Sequence, residues 1–397
     1  MKITLNAVLE VAMDLLRIPS VNPRDKAQVA EEEMLGEVEI CNFIASWLNK
    51  HKIPAEVRHY APGRACCVAI LENRKGPTLW LNGHVDTVAP TYLTKESFVP
   101  RVLGDNLYGI GAADMKGGVA AMLVALAAAA DVFRDGRIIF SAVGGEEGPP
   151  SGTEFLLSDS SLRADMVVVG EPSHLALFIG QKGSMWVKIK CQGRARHGCV
   201  PDHRVNAVEG LIAYLYTLNN KDSSIIFQYI DDIYSQTTCN VGIFSGGHRP
   251  NIIPAEAFAI LDIRYPPRCN SLEILEKLKA HAEIVKQNEA AIWNFIIEVI
   301  EGPTEPVYMP KDHPMVSKIA KIIRVVLKRP VSVGWAPYWS DAYYYLKTNI
   351  PTFIFGPGQI ENAHQPEEYV SITDMWKSAM VYYKIITNLK EVVNMYD

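Results

Sequence analysis

The sequence lacks several patterns that would identify a function at once. Its seven cysteines include no C-x-x-C pair, and its glycine-rich stretches contain neither a G-x-G-x-x-G fingerprint nor a P-loop. No G-x-S-x-G element marks a serine hydrolase. These absences argue against a paired-cysteine metal or redox motif, a dinucleotide or triphosphate loop, and a Ser-His-Asp mechanism.

Long runs of like charge and long apolar runs are also missing. The net charge is −5 and no basic stripe is present, so no nucleic-acid partner is expected. The longest apolar run, 119–130, is too short to span a bilayer and predicts a buried helix. Glu10 and Asp14 interrupt the first apolar repeat, which argues against a signal peptide. With an odd number of cysteines, we expect a cytoplasmic protein with free thiols and no membrane partner.

The length of 397 residues predicts two domains rather than one core. Up to about residue 180, helical patterns alternate with short β-rich runs such as "CCVAIL", "TLWLNGHV", "RIIFSAVGG" and "DMVVVGEP". This order predicts an α/β fold with a mixed, mostly parallel sheet and helices on both faces. Helices are expected at Leu5–Arg17 and at 37–50.

From about residue 182 the pattern changes to that of an α+β domain. "GSMWVKIKCQG" alternates like a half-exposed antiparallel strand, and a helical pattern covers 204–220. Two further strands, a helix at 271–289 and a final strand follow before the α/β pattern resumes. We therefore expect a first domain made of 1–181 and 302–397, interrupted by an inserted domain at 182–301.

Five polar clusters stand out against these elements. Taken alone, each is more typical of ordinary structure: a hydrogen-bonded pair at a strand end, a solvated turn, or an exposed loop. Together they favour a shared site, because the carboxyl ends of parallel strands lie at one edge of a sheet and would bring the clusters close to one another. The clusters are His84 and Asp86 in "GHVD", Asp114 in "GIGAADMKGG", Glu146 and Glu147 in "GGEEG", Glu171 in "VVVGEP", and His364 in "NAHQPEEY".

A mixture of imidazole and carboxylate groups is typical of zinc, cobalt or manganese sites rather than calcium sites. Several carboxylates gathered in one cleft would repel one another or stay protonated, and divalent cations remove that cost. Five ligands fit two ions if one carboxylate bridges them. Two ions about 3.5–4 Å apart can hold a hydroxide and polarise a carbonyl group.

The ordered set "NGHVDTV", "LYGIGAADMKGG", "GGEEGPPSGTEFL", "VVVGEPS" and "FGPGQIENAHQPEEYV" resembles the acetylornithine deacetylase, succinyl-diaminopimelate desuccinylase and carboxypeptidase G family of dinuclear zinc metallohydrolases. "ARHGCVPDHRVNA" and "SGGHRPNIIPAEAFAILDIR" extend the resemblance over nearly the whole chain. It implies a catalytic domain like that of zinc aminopeptidases, with the insertion as a lid or dimerisation domain.

The resemblance also implies roles for the polar residues. His84 and Glu171 would bind one metal ion, Glu147 and His364 the second, and Asp114 would bridge the two. The peptide bond between Asp114 and Met115 would be cis. The ions would be zinc, with cobalt or manganese as alternatives.

Three neighbouring roles follow from the same resemblance. Glu146 would be the general base, and adjacent side chains on extended backbone point apart, so one glutamate can bind metal while the other faces substrate. Asp86 would accept a hydrogen bond from the His84 ring and fix its tautomer. His197 in the inserted domain would reach the active site of a partner subunit in a homodimer and stabilise the oxyanion. A simple surface position is the alternative for His197.

The resemblance also matches Asn251 and Arg264 to positions at which members of the family bind the substrate carboxylate. Arg264 could equally pair with a structural acid. The expected reaction is hydrolysis of an N-acyl amino acid, such as an acetyl or succinyl derivative, by a metal-bridging hydroxide. A dipeptidase or carboxypeptidase acting on short peptides is the alternative. A metal-dependent binding protein without activity is disfavoured, because the base and the ligands are all present.

Overall fold

The computed structural model describes residues 1–218 and 236–394, and these form two compact units. The first unit comprises Met1–Gly180, Met309–Gly334 and Ser340–Asp397, and the second comprises Gln181–Tyr308 and Trp335–Trp339. The second unit is thus inserted in the sequence of the first. The catalytic and lid roles given to the two domains stay predictions.

The strands, in chain order, are β1 (Ala55–Ala61), β2 (Arg64–Glu72), β3 (Arg74–His84), β4 (Arg101–Leu103), β5 (Asn106–Tyr108), β6 (Asp135–Val143), β7 (Met166–Val169), β8 (Leu177–Gln181), β9 (Gly183–Gln192), β10 (Arg196–His197), β11 (Thr238–Gly246), β12 (Ile252–Ile253), β13 (Glu256–Tyr265), β14 (Asn294–Thr304), β15 (Val307–Tyr308), β16 (Val333–Ala336), β17 (Thr352–Ile354) and β18 (Tyr369–Ser371).

The α-helices are α1 (Leu5–Arg17), α2 (Val38–Lys50), α3 (Gly117–Ala129), α4 (Gly152–Leu157), α5 (Ala207–Leu218), α6 (Ser271–Asn288), α7 (Pro314–Leu327), α8 (Ala342–Lys347), α9 (Ile372–Thr387) and α10 (Leu389–Val393). The helices predicted at Leu5–Arg17, 37–50 and 271–289 are found to within one residue. The last two residues of the helical pattern at 204–220 lie outside the described residues.

Among the described residues, the large sheet has nine strands in the order β1-β2-β6-β3-β7-β17-β8-β15, with β16 paired to β8. The central strands β6, β3, β7 and β17 pair in parallel, whereas β1 with β2, β2 with β6 and β17 with β8 are antiparallel. The last six residues of β3 and all of β7 are buried, so both faces of the sheet centre are covered. The predicted α/β class is confirmed, with the parallel pairs at the centre of the sheet.

The parallel strands end side by side. His84 at the end of β3 lies opposite Val143, the last residue of β6. Asn82 of β3 and Ile354 of β17 both lie opposite Val169, the last residue of β7. The loops that follow these four strands therefore start at one edge of the sheet, as the sequence predicted.

Helix α3 forms the apolar centre of the first unit. It packs against α1, α9 and β3. Among the described residues, Ala112–Ala129 is the helical stretch long and apolar enough to cross a bilayer, and 94% of it is buried inside the protein. The prediction of a buried helix at this run is confirmed.

The second unit has its own core. Its four-stranded sheet has the order β11-β13-β9-β14, and β9 is antiparallel to both of its neighbours. The residues of β9 alternate between buried and half-buried, as its sequence pattern predicted. Val187 and Leu261 of the sheet pack with Leu211 and Tyr214 of α5 and with Leu278 of α6.

Candidate metal centre

Asp114 lies between two histidines from distant parts of the chain. Its Oδ1 atom is 2.9 Å from Nε2 of His84, and its Oδ2 atom is 3.3 Å from Nε2 of His364. Asp114 is in the turn 112–116 that leads into α3, His84 ends β3, and His364 is in the loop between β17 and β18. The two oxygens of one carboxylate therefore face two separate imidazole groups.

Each histidine has a glutamate beside it. Oε1 of Glu147 is 2.8 Å from Nε2 of His364, and Oε1 of Glu171 is 3.8 Å from Nε2 of His84. One donor atom each from His84, Asp114 and Glu147 lie within 4.8 Å of one another. The structure thus brings together all five residues that the sequence assigned as ligands.

The backbone around Asp114 is unusual in two ways. Gly111 has a positive φ of 78°, which only glycine adopts freely, and the peptide bond between Asp114 and Met115 is cis. The cis bond is the one that the family resemblance predicted. The turn is closed at its far side by Lys116, whose buried Nζ donates to the carbonyl oxygens of Ile18 at 2.8 Å and Leu15 at 3.3 Å.

Asp86 makes different contacts from those expected. Nδ1 of His84 is 2.9 Å from the backbone carbonyl oxygen of Asp86, whereas the Asp86 carboxylate is 3.6 Å from it. The carboxylate instead accepts hydrogen bonds from the backbone N–H groups of Glu146 at 3.4 Å and Glu147 at 3.1 Å, and from Nδ2 of Asn22 at 2.8 Å. The main chain of Asp86 thus orients the imidazole, and its side chain holds the backbone of the two glutamates.

Charge and burial oppose each other throughout this cluster. Burial raises the pKa of Glu146, Glu147 and Glu171, and neighbouring carboxylates raise it further. Burial lowers the pKa of His84, but Glu171, Asp114 and Asp86 outweigh this and raise it. Hydrogen bonds to Asp114 and Glu147 raise the pKa of His364 to about 11. A cluster of buried carboxylates is stabilised by nearby positive charge, which divalent metal ions would supply.

The donor set fits divalent metal ions. Two imidazole and three carboxylate groups converge, which is the ligand chemistry of zinc and similar ions. Oε1 of Glu171 is buried and makes no hydrogen bond within the described part of the chain, although a buried carboxylate oxygen without a partner is costly. A cation between Glu171 and His84 would remove this cost.

Sequence reasoning missed several buried acids of the same unit, among them Glu368 and Asp341. Glu368 is 3% exposed and accepts hydrogen bonds from the turn that carries Asp114. Asp341 accepts a hydrogen bond of 2.6 Å from Oγ1 of Thr153, and its negative charge raises the pKa of Glu146 and Glu171. Asp341 precedes a helix rather than following an apolar run, so it carries no strand-end signal. Glu368 follows His364 in "HQPEE", where it looked like one of two ordinary loop acids.

The three residues assigned to the inserted domain lie in the second unit. His197 is exposed in β10, which pairs with β12, and the N–H of Gly198 donates to the carbonyl oxygen of Asn251 at 2.8 Å. His197 and Asn251 are therefore close neighbours. Arg264 makes two hydrogen bonds to the Asp262 carboxylate, at 2.8 and 3.1 Å, which is the structural pairing left open by the sequence.

The family model for peptidase family M20/M25/M40 matches residues 80–388, which is most of the chain and includes all five candidate ligands. The chain belongs to peptidase family M20/M25/M40. The resemblance identified from the sequence motifs is confirmed, and this M20 protein is a metallohydrolase of the deacylase and peptidase type.

Two curated relatives of this M20 protein are deacylases. Acetylornithine deacetylase of Photorhabdus laumondii is 28% identical over 396 residues, covering 97% of this chain and 98% of the relative. A probable succinyl-diaminopimelate desuccinylase of Staphylococcus epidermidis is 26% identical over 383 residues, covering 88% of this chain and 92% of the relative.

The fold is also similar to that of the YXEP protein of Bacillus subtilis, described as a dinuclear metal-binding peptidase of the M20 family. The TM-score is 0.68 at 14% identity, covering 98% of this chain and 99% of the other. At this identity the likeness concerns the fold alone.

Proposed function

We propose that this M20 protein hydrolyses the amide bond of an N-acyl amino acid, such as an acetyl or succinyl derivative, with two divalent metal ions. The observation that carries the proposal is the placement of Asp114, whose two oxygens face His84 on one side and His364 on the other. This is the arrangement required of a carboxylate that bridges two ions.

Each half of the cluster would hold one ion. His84 and Glu171 would bind the first, Glu147 and His364 the second, and Asp114 both. Zinc is proposed because imidazole and carboxylate ligands suit it, with cobalt or manganese as substitutes. When bound, two such ions would polarise the acyl carbonyl group and lower the pKa of a bound water molecule.

Glu146 is proposed as the general base. It would take a proton from the attacking water as the bond to the acyl carbon forms, and give that proton to the amine as the C–N bond breaks. The products are a free amino acid and a carboxylate. Asp86 supports this role, because it binds the backbone N–H groups of Glu146 and Glu147 and so holds the main chain from which both side chains extend.

His197 is proposed to stabilise the oxyanion, and Asn251 to bind the substrate carboxylate. Their proximity in the second unit supports a shared function. Arg264 is the weaker of the two proposed carboxylate-binding residues, because its guanidinium group already pairs with Asp262. Contact between Arg264 and a substrate would have to use the remaining N–H donors of the guanidinium group.

We further propose a homodimer formed through the second unit. Among the strands that the structure describes, β11 is at the edge of its sheet, and its residues Ile243 and Phe244 are 51% and 45% exposed. Ile212 and Tyr216 of α5 are also exposed, at 52% and 75%. An open strand edge beside exposed apolar side chains is the kind of surface that a second copy can cover.

A cytoplasmic location and a role in amino-acid biosynthesis complete the proposal. The seven cysteines, which all lie within the described residues, are free thiols, as is usual in a reducing compartment. The curated relatives named above are enzymes of acylated amino acids, which supports the biosynthetic role.

The test is release of free amino groups from N-acetylornithine, N-acetylcitrulline, N-succinyl-diaminopimelate, N-acetylmethionine and several dipeptides. The protein is loaded with zinc or cobalt, and Glu146→Gln serves as a control for contaminating activity. Strong turnover of one acyl amino acid supports the proposal. Activity on dipeptides alone would make the protein a peptidase. If the protein binds two metal ions but hydrolyses none of these substrates, the metal centre is supported and the proposed substrate class is rejected.

A further inference from the structure

We infer that Glu368 is a positioning residue that fixes the bridging carboxylate of Asp114, an inference that rests on the proposed metal centre. The Glu368 carboxylate accepts three backbone hydrogen bonds from one turn. Oε2 accepts from the N–H of Gly111 at 3.1 Å, and Oε1 accepts from the N–H groups of Ala113 at 2.8 Å and Asp114 at 3.0 Å. One of the three donors is thus the backbone of the bridging residue itself.

These three N–H groups have no alternative partner in the turn. Helix α3 begins only at Gly117, and in the wide helical turn before it the backbone of Asp114 and Met115 leaves the helical conformation. The N–H of Ala112 donates to the carbonyl oxygen of Gly109 and that of Lys116 to Gly111, whereas the three N–H groups named above donate to Glu368. Because buried backbone donors require acceptors, the side of the turn that carries Asp114 relies on this carboxylate.

Glu368 also connects the turn with the loop that carries His364. The N–H of Gly109 donates to the backbone oxygen of Glu368 at 3.1 Å, and Tyr369 of β18 pairs with Tyr108 of β5. The chain before the Asp114 turn and the chain after His364 are therefore joined at Glu368. Together with the pairing of β18 and β5, Glu368 therefore connects two candidate ligands that are 250 positions apart in sequence.

The chemistry of the acceptor matters as much as its size. The two oxygens of a glutamate accept from N–H groups on both sides of the turn. A glutamine at this position has one oxygen and one NH2 group, and an NH2 group cannot accept a hydrogen bond from a backbone N–H. Glu368→Gln therefore preserves volume while removing the acceptor for at least one of the three donors.

The neighbouring acid provides a matched control. Glu367 is exposed and pairs with Arg101 at 2.8 Å on the protein surface. Glu367→Gln makes the same chemical change one residue away, without touching the turn. Glu368→Ala removes all three acceptors and serves as the stronger variant.

The first measurement is backbone hydrogen exchange in the metal-free protein. Glu368→Gln should speed exchange of the amides of Gly111, Ala113 and Asp114 by about tenfold, the effect of losing one ordinary hydrogen bond. Strands β3 and β6 of the same unit should exchange as in the wild type, which shows that the unit carrying the turn is folded in the variant. If the amides of the turn exchange no faster in Glu368→Gln than in Glu367→Gln, the inference is overturned.

The second measurement is metal affinity by competition with a chelator. Glu368→Gln should weaken binding by about 10–100-fold, as is usual when a residue that supports a ligand is changed. An unchanged affinity despite a loosened turn would overturn the positioning role. A wild-type protein that binds no metal would instead reject the proposed metal centre, since the exchange measurement tests the turn without metal.

Discussion

The two compact units differ in what they bury. The second unit packs a four-stranded sheet on two helices through a mainly apolar core, with Val187, Leu211 and Leu261 at its centre. The first unit has an apolar core around α3 but also buries several acids at one sheet edge, among them Asp114 and Glu171. Burying carboxylates without compensation is costly, so the edge of the first unit is arranged for binding rather than for stability.

The largest effect is expected from changing two adjacent acids of the first unit separately. Glu146→Gln should cut turnover by about 10²–10⁴-fold, as for loss of a general acid-base group, while metal content stays near that of the wild type. Glu147→Gln should instead lose metal. The check is metal analysis beside steady-state kinetics. Equal metal loss in both variants would contradict the division of roles.

The second-largest effect is expected from metal removal, which should loosen the first unit and leave the second unchanged. With free zinc at a thousand times its dissociation constant, the bound protein should be more stable than the chelated protein by about 4 kcal/mol. Hydrogen exchange should rise at the strand ends near His84 and Glu171, and stay unchanged in β9 and β13 of the second unit. Uniform loosening of both units on chelation would argue against a difference between them.

A cavity in the core of the second unit should lower the stability of the protein without changing its metal content. Leu261 is fully buried, and Leu261→Ala should destabilise the protein by about 3 kcal/mol. Metal content should not change. The control is Leu272→Ala on α6, where the side chain is 71% exposed and the expected cost is below about 0.5 kcal/mol. Thermal unfolding measures both, and metal loss in Leu261→Ala would contradict the separation.

The smallest effect concerns a buried histidine of the second unit. Burial lowers the pKa of His281, so the folded state disfavours its protonated form. Its contribution to stability is therefore complete above the unfolded pKa of about 6.5 and is lost as the pH falls below it, by up to about 1.4 kcal/mol per pH unit. Between pH 5 and 8, the stability of the wild type relative to that of His281→Gln should fall as the pH falls, because other titrating groups contribute equally to both proteins. The same slope in both proteins would reject the role of His281.

Much of the fold follows from local pattern. The strand ends at His84, Glu147 and Glu171 were recognisable because apolar β-rich runs stop at polar residues. The alternation in β9 was enough to separate an antiparallel sheet from the parallel one. These features depend only on neighbouring residues, and so a single sequence contains them.

Other features depend on contacts between distant segments. Glu368 shows its role only when the turn at Gly111 and Asp114 is placed against it, because its partners are backbone groups without a residue signature. The side chain of Asp86 was expected at the His84 ring, yet it holds the Glu146 backbone. Choices among several possible acceptors are decided by three-dimensional packing rather than by sequence spacing.

The position of β17 has a consequence for how the protein is made. This short strand, Thr352–Ile354, lies between β7 and β8, which follow each other in sequence. During synthesis from the amino terminus, the ribosome completes β7 and β8 long before the strand that separates them. The centre of the sheet cannot be completed, and the loop with His364 cannot take its place, until residues 352–364 have emerged from the ribosome. A nascent chain that stops before β17 therefore carries four of the five candidate ligands in an incomplete sheet.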